Sequence, residues 1–96
     1  MPVYIMFGNL THAAFAKLDS IEERDKKAKE IIESLGGRLL SLYYTLGQYD
    51  FVAIFEMPDK EMLIKFIAIV SKFGTVRTET METIPASMLY KIAKEI

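Results

Sequence analysis

The 96-residue sequence contains no cysteine and a single histidine, His12. Disulfide bonds, thiolate metal sites and a cysteine nucleophile are excluded, and so is a multi-histidine metal cluster. An excess of charge of one sign is also missing. Twelve Lys and Arg face 13 Asp and Glu, for a net charge of −1, so no global field gathers nucleic acid or an anionic membrane. The apolar opening from Val3 to Phe7 falls far short of the ~20 residues of a spanning helix, and no basic segment precedes it. The expectation is a cytoplasmic protein with neither a membrane nor a nucleic acid as partner.

Chemical signatures are equally sparse. The glycines are isolated or paired with no Gly-Lys-Ser/Thr after them, which excludes a phosphate loop. There is no serine nucleophile elbow, no pair of carboxylates alone in an apolar setting, and no clustering of aromatic with basic residues of the kind that binds single-stranded nucleic acid. No cofactor is expected. What is present is apolar: 51% of residues are hydrophobic and 26% charged, a balance that excludes disorder. The length supports one domain over residues 1–96, in which folding hides about two-thirds of the unfolded chain's surface.

The hydrophobic period changes several times along the chain. Val3-Tyr4-Ile5-Met6-Phe7 is apolar on both sides of a pleat, as in a central strand covered on both faces, and Gly8-Asn9 is expected to end it. Thr11 to Leu18 suits one short helical turn with Thr11 as its cap. Ser20-Ile21-Glu22-Glu23 reads as a capping box opening a helix, with Ile21, Ala28, Ile31, Ile32 and Leu35 as its stripe. Glu22–Lys26, Glu23–Lys27 and Asp25–Lys29 fall at i, i+4 on what reads as a solvated face. Gly36-Gly37 provides a left-handed stop.

From Arg38 to Glu56 the period is two, interrupted by Gly47-Gln48-Tyr49-Asp50. This predicts a hairpin with a four-residue connection in which Leu46 faces Phe51, Tyr44 faces Ala53 and Leu42 faces Phe55, with Asp50 bonding the turn. Pro58-Asp59 opens a second helix, apolar nearly all round, whose breadth predicts contact with more than one sheet. Val76 to Ile84 reads as an edge strand rich in Thr and charge. Pro85, at a first helical position, starts a terminal helix carrying Met88, Leu89, Ile92, Ala93 and Ile96.

The order strand, helix, strand, strand, helix, strand with a helical tail is the α+β pattern of the ferredoxin-like βαββαβ plait. Right-handed crossovers give an antiparallel sheet of order 4-1-3-2 with both main helices on one face. The other face remains apolar, and the simplest cover for it is a second copy of the sheet. Hiding roughly 700 Å² of apolar surface per subunit favours pairing by on the order of 10 kcal/mol or more before association costs. The sequence therefore predicts a homodimer or higher homo-oligomer.

Leu42-Tyr43-Tyr44-Thr45-Leu46-Gly47-Gln48-Tyr49-Asp50-Phe51-Val52 resembles the signature of the GYD domain family, with its Gly-x-Tyr-Asp turn. Leu35-Gly36-Gly37-Arg38, Ala53 to Asp59 and Gly74 to Thr80 resemble further family motifs in the same order. The resemblance implies a dimeric α+β barrel, two sheets paired face to face, and supplies no catalytic residues.

The 4-1-3-2 topology brings the end of the first strand, the hairpin turn, the start of the last strand and the first helix N-terminus to one end of the sheet. Asn9, His12, Tyr49, Asp50 and Arg77 are thus candidates for one small polar ligand site, with Arg77 beside a helix N-terminus suited to an anion such as a carboxylate. Each also has a structural role open to it: Asp50 and Tyr49 in the turn, Arg77 in an ion pair with Glu79, and His12 as a surface or capping residue. Three functions follow. One is a small-molecule-binding or sensing oligomer, with its cavity at the Arg77 end. Another is an assembly subunit without a ligand. The third is a cofactor-free oxygenase or isomerase using His12 or Asp50 as proton acceptor.

Overall fold

The computed structural model describes residues 1–96. Along the chain run β1 (Val3–Leu10), α1 (His12–Phe15), a 3-10 turn at Leu18–Ser20, α2 (Ile21–Ser34), β2 (Arg38–Tyr44), β3 (Phe51–Glu56), α3 (Lys60–Lys72), β4 (Val76–Glu82) and α4 (Ala86–Glu95). The strands form one antiparallel sheet in the order β2-β3-β1-β4, which is the expected 4-1-3-2 order read from the opposite edge. This is the ferredoxin-like α+β fold, with charged β4 at an edge.

Strand alternation decides which residues meet the helices. Tyr4 and Met6 of β1 stand opposite Phe55 and Ala53 of β3, and all four are buried. Ile32 of α2 and Leu63, Phe66 and Val70 of α3 close over them. Phe55, fully buried, lies between Tyr4 and Phe66 with ring centroids 6.1 and 5.3 Å away. That aromatic seam is the centre of the core.

Local signals operate at several ends. Asp59 caps α3, its Oδ1 accepting the Met62 N–H at 2.9 Å. Gly36 takes φ 86° after α2, the left-handed stop that the Gly-Gly pair predicts. Gly37 has another reason to be glycine: a Cβ there would run into the Glu56 carbonyl oxygen and the Met57 sulfur. Glu22 and Lys26 form the expected i, i+4 pair at 3.8 Å.

Other expectations are corrected. Gly8 and Asn9 continue β1 to Leu10 instead of ending it. The Phe51 ring occupies the space a side chain at residue 8 would need, so Gly8 is a packing requirement rather than a stop. Ser20 makes no capping bond; the preceding 3-10 turn directs its hydroxyl to the Lys17 carbonyl at 2.8 Å. Pro85 is the N-cap residue of α4, not its first helical residue.

The hairpin differs most. Its connection runs over residues 45–50, and Tyr44 faces Phe51 while Leu42 faces Ala53. The register breaks between Leu39 and Ser41, so Leu40 is an unpaired bulge and Leu39, where the sequence suggested Leu42, stands opposite Phe55. The slip has a cause in the turn: the Thr45 N–H donates to the Asp50 carbonyl at 2.8 Å and its hydroxyl donates to the Tyr49 carbonyl. Thr45 is thereby drawn into the loop rather than left in the strand.

Two apolar surfaces stay uncovered in the single chain. On the helix-free side, Val3, Ile5, Phe7, Val52 and Ile54 are half-buried and Tyr43 and Met81 are exposed. In α4 no residue is buried, and Met88, Leu89, Tyr90 and Ile92 all face outward. Ile64 of α3 is also exposed, so within one chain this helix meets a single sheet.

Candidate functional site

The five residues singled out from the sequence lie at or near the same end of the sheet, with different partners. Asn9 and Arg77 are cross-strand partners on the helix-free side, where Arg77 is exposed and makes no ion pair. Tyr49 reaches the same side: its ring lies 5.0 Å from that of Phe7, and its hydroxyl donates to Glu79 at 2.5 Å. The hydrogen bond to Glu79, more than burial or charge, raises the pKa of this phenol. Glu79 therefore takes Tyr49 as its partner, where the sequence suggested Arg77. Asp50 is a strap between elements. Its Oδ2 accepts the Leu10 N–H at 2.8 Å and its own N–H donates to the Gly8 carbonyl at 2.8 Å, so its side chain and N–H tie the turn to β1 while its carbonyl closes the turn on Thr45. His12 begins α1 and is exposed.

An apolar space, partly open to solvent, lies on the opposite face. A cavity of about 330 Å³ sits between the sheet and the pair α2 and α3, at the low end of the size range of small-molecule sites. Its floor includes Met6, Leu42 and Ala53, and Ala28 and Phe66 contribute from the two helices. Small side chains on α2 and β3, Ala28 and Ala53, leave the gap open, and α2 and α3 touch each other only sparsely.

Polar groups enter this apolar space from one stretch of α2. Arg24, Asp25 and Lys27 line the cavity, and Tyr44 approaches from β2. Asp25 accepts the Tyr44 hydroxyl with both oxygens, at 3.0 and 2.8 Å. Burial raises the Asp25 pKa above 3.8, opposed by the Tyr44 hydrogen bond. Burial, then the bond and charge of Asp25, also push the Tyr44 hydroxyl above its ordinary range. Lys27 Nζ lies 5.0 Å from the centre of the Phe73 ring, a cation–π contact. Arg24 Nη1 is buried with no hydrogen-bond partner. Such an orphan donor is uncommon in a folded protein and costs stability until something accepts from it.

The sequence does hold a signal for this group. Counting three and four residues on from Ile21 along the α2 stripe lands on Arg24 and Asp25, two charges where the inner face needs apolar residues. Assigning Asp25 to a solvated face with Lys29 hides it.

A model of the GYD domain matches residues 4–93. A protein of Thermus thermophilus named glutamine synthetase and cystathionine beta-lyase binding protein is 32% identical over 90 residues, which are 93% of this chain and 95% of that protein. Among solved structures, MtbAldR superposes with a TM-score of 0.63 at 18% identity, over 88% of this chain and 52% of that one; the chain thus spans about half the length of that relative. An Arabidopsis thaliana protein gives 0.63 at 11% identity, over 88% and 95%. At these identities the structural likenesses establish the fold. No helix is long and apolar enough to cross a membrane.

Proposed function

The chain belongs to the GYD domain family, and from that premise we propose that it is a binding protein that works as a homo-oligomer and responds to a small molecule held between its helices and its sheet. The observation that carries this reading is the cavity of about 330 Å³, walled by hydrophobic side chains with a few polar groups converging at one place. That combination characterises sites for small ligands. The self-association follows from the helix-free face, where the apolar residues of β1 and β3 continue through Tyr43 and Met81 to the sheet edges. A second copy laid on that face covers it by symmetry and makes the paired-sheet barrel. Asn9, Tyr49, Arg77 and Glu79 then lie beside or within the interface, where Arg77 gains partners from the other copy. Asp50 keeps its structural role as the strap to β1.

A second reading, engagement of an enzyme partner, is favoured by α4. This helix carries an apolar stripe with nothing against it, the form in which helices dock in partner grooves. The relative whose name describes binding to two enzymes supports it. The two readings are compatible, because the cavity lies under α2 and α3 and none of its lining residues belongs to α4.

Native mass spectrometry of the purified protein tests the core of the proposal. The expected result is an even-numbered assembly at micromolar concentration that retains a small molecule or accepts an added one. A bare single subunit whose thermal midpoint no small apolar ligand raises overturns it.

A further inference from the structure

We infer that the ligand of this cavity is an apolar carboxylate, held with its head group against the part of the Arg24 guanidinium that lines the cavity and its hydrocarbon body over Met6, Ala28 and Phe66. The inference rests on the reading of the cavity as a ligand site and adds the chemical class of the occupant. Three observations lead to it. Asp25 is engaged by the Tyr44 hydroxyl and Lys27 sits on the Phe73 ring, whereas Arg24, the other cation at the wall, makes no ion pair. The charges at the wall are Arg24 and Lys27 against Asp25, two cations to one carboxylate, which leaves room for one more negative charge. Apart from Thr75 the rest of the lining is hydrophobic, so a small hydrophilic anion such as phosphate would lose its hydration over most of its surface without replacement.

A carboxylate meets all three conditions. Its planar pair of oxygens matches a guanidinium edge, its charge answers the unpaired Arg24, and its apolar remainder takes the place of solvent against the walls. A neutral alcohol of the same length fills the same volume but lacks the charge. The site therefore discriminates by head group, and a charge-assisted hydrogen bond in a partly desolvated place predicts a preference of about tenfold or more for the acid.

Calorimetric titration with decanoate and with decan-1-ol separates the possibilities, using the wild-type protein, Arg24→Gln, Arg24→Met and Ala28→Phe. Thermal unfolding of each free variant establishes that it folds; Arg24→Met, apolar like the lining, serves if Arg24→Gln does not. Wild-type protein is expected to bind decanoate at least about tenfold more tightly than decan-1-ol. Either Arg24 variant is expected to reduce decanoate to the level of the alcohol while leaving the alcohol unchanged. Ala28→Phe, which fills the cavity, is expected to abolish both. Equal binding of the two probes, unaffected at Arg24 but lost in Ala28→Phe, overturns the carboxylate assignment and leaves the cavity as a ligand site. Binding that survives Ala28→Phe overturns the location. No binding of either probe to the wild type overturns the cavity reading together with the inference.

Discussion

The two faces of the sheet are built from the same strands and differ less in composition than in what covers them. Tyr4, Met6, Phe51, Ala53 and Phe55 point to the helices and are buried to within 9% of full burial. Val3, Ile5, Phe7, Val52 and Ile54 alternate with them and remain half-buried. An apolar side chain stabilises the fold only in proportion to the surface it loses to water. The helix-covered face therefore carries the stability of the single chain, and the helix-free face leaves apolar surface that one chain does not bury. The two faces also divide the polar groups. Arg24, Asp25 and Tyr44 gather at the covered cavity, whereas Tyr49, Arg77 and Glu79 decorate the open side.

Matched truncations on adjacent residues sharpen this contrast most strongly. Phe55→Ala removes the centre of the aromatic seam and is expected to cost about 3–5 kcal/mol in chemical denaturation. Ile54→Ala, one residue earlier and on the other face, is expected to cost about 1 kcal/mol or less in the subunit's own stability, and to shift sedimentation toward smaller species. Equal costs, or an unchanged assembly, break the assignment of the two faces.

The strap at Asp50 comes next in size, because it joins the hairpin turn to β1 and sets Tyr49 on Phe7. Asp50→Ala leaves the Leu10 N–H without its acceptor and is expected to cost about 1.5–3 kcal/mol. Asp50→Asn, whose amide oxygen accepts the same bond, is expected to recover most of it. Should Asn be as damaging as Ala, charge rather than the bond to Leu10 is what matters there.

The smallest effect belongs to Asp25 at the cavity. Its carboxyl is protonated more readily in the fold than in the unfolded chain, because burial raises its pKa. Its contribution is therefore most favourable below its ordinary pKa and declines as pH rises through the folded value. Asp25→Asn, which still accepts from Tyr44, removes that decline. It is expected to be more stable than the wild type at neutral pH, by at most about 1 kcal/mol for a half-exposed group, with the difference vanishing toward pH 3. An unchanged difference across this range refutes the burial of Asp25 as the cause.

Much of this architecture was readable without coordinates. Period-two and helical stripes, Asp59 as a cap and Gly36 as a stop are local events, determined by residues within a turn or two of one another. The hairpin register was not, because Thr45 and Asp50 bond across the turn and to β1 and pull the strand by two positions. The Leu40 bulge was equally hidden, since Leu39 and Leu40 look alike in an alternating pattern and only the partner strand chooses between them. The same limit applies at the sheet end where the sequence put its candidate site. Topology brings Asn9 and Arg77 opposite each other, but whether a space exists beside them is a property of packing.

By itself, then, the order and period of apolar residues determined the ferredoxin-like plait and the surplus of hydrophobic surface on its second face, since both follow from short-range periodicity and the geometry of crossovers. Which side holds the cavity, which strand residue bulges, and which guanidinium nitrogen is left without a partner were decided only in three dimensions. Each depends on how side chains distant in sequence fill or fail to fill a shared volume, and no local pattern encodes a volume.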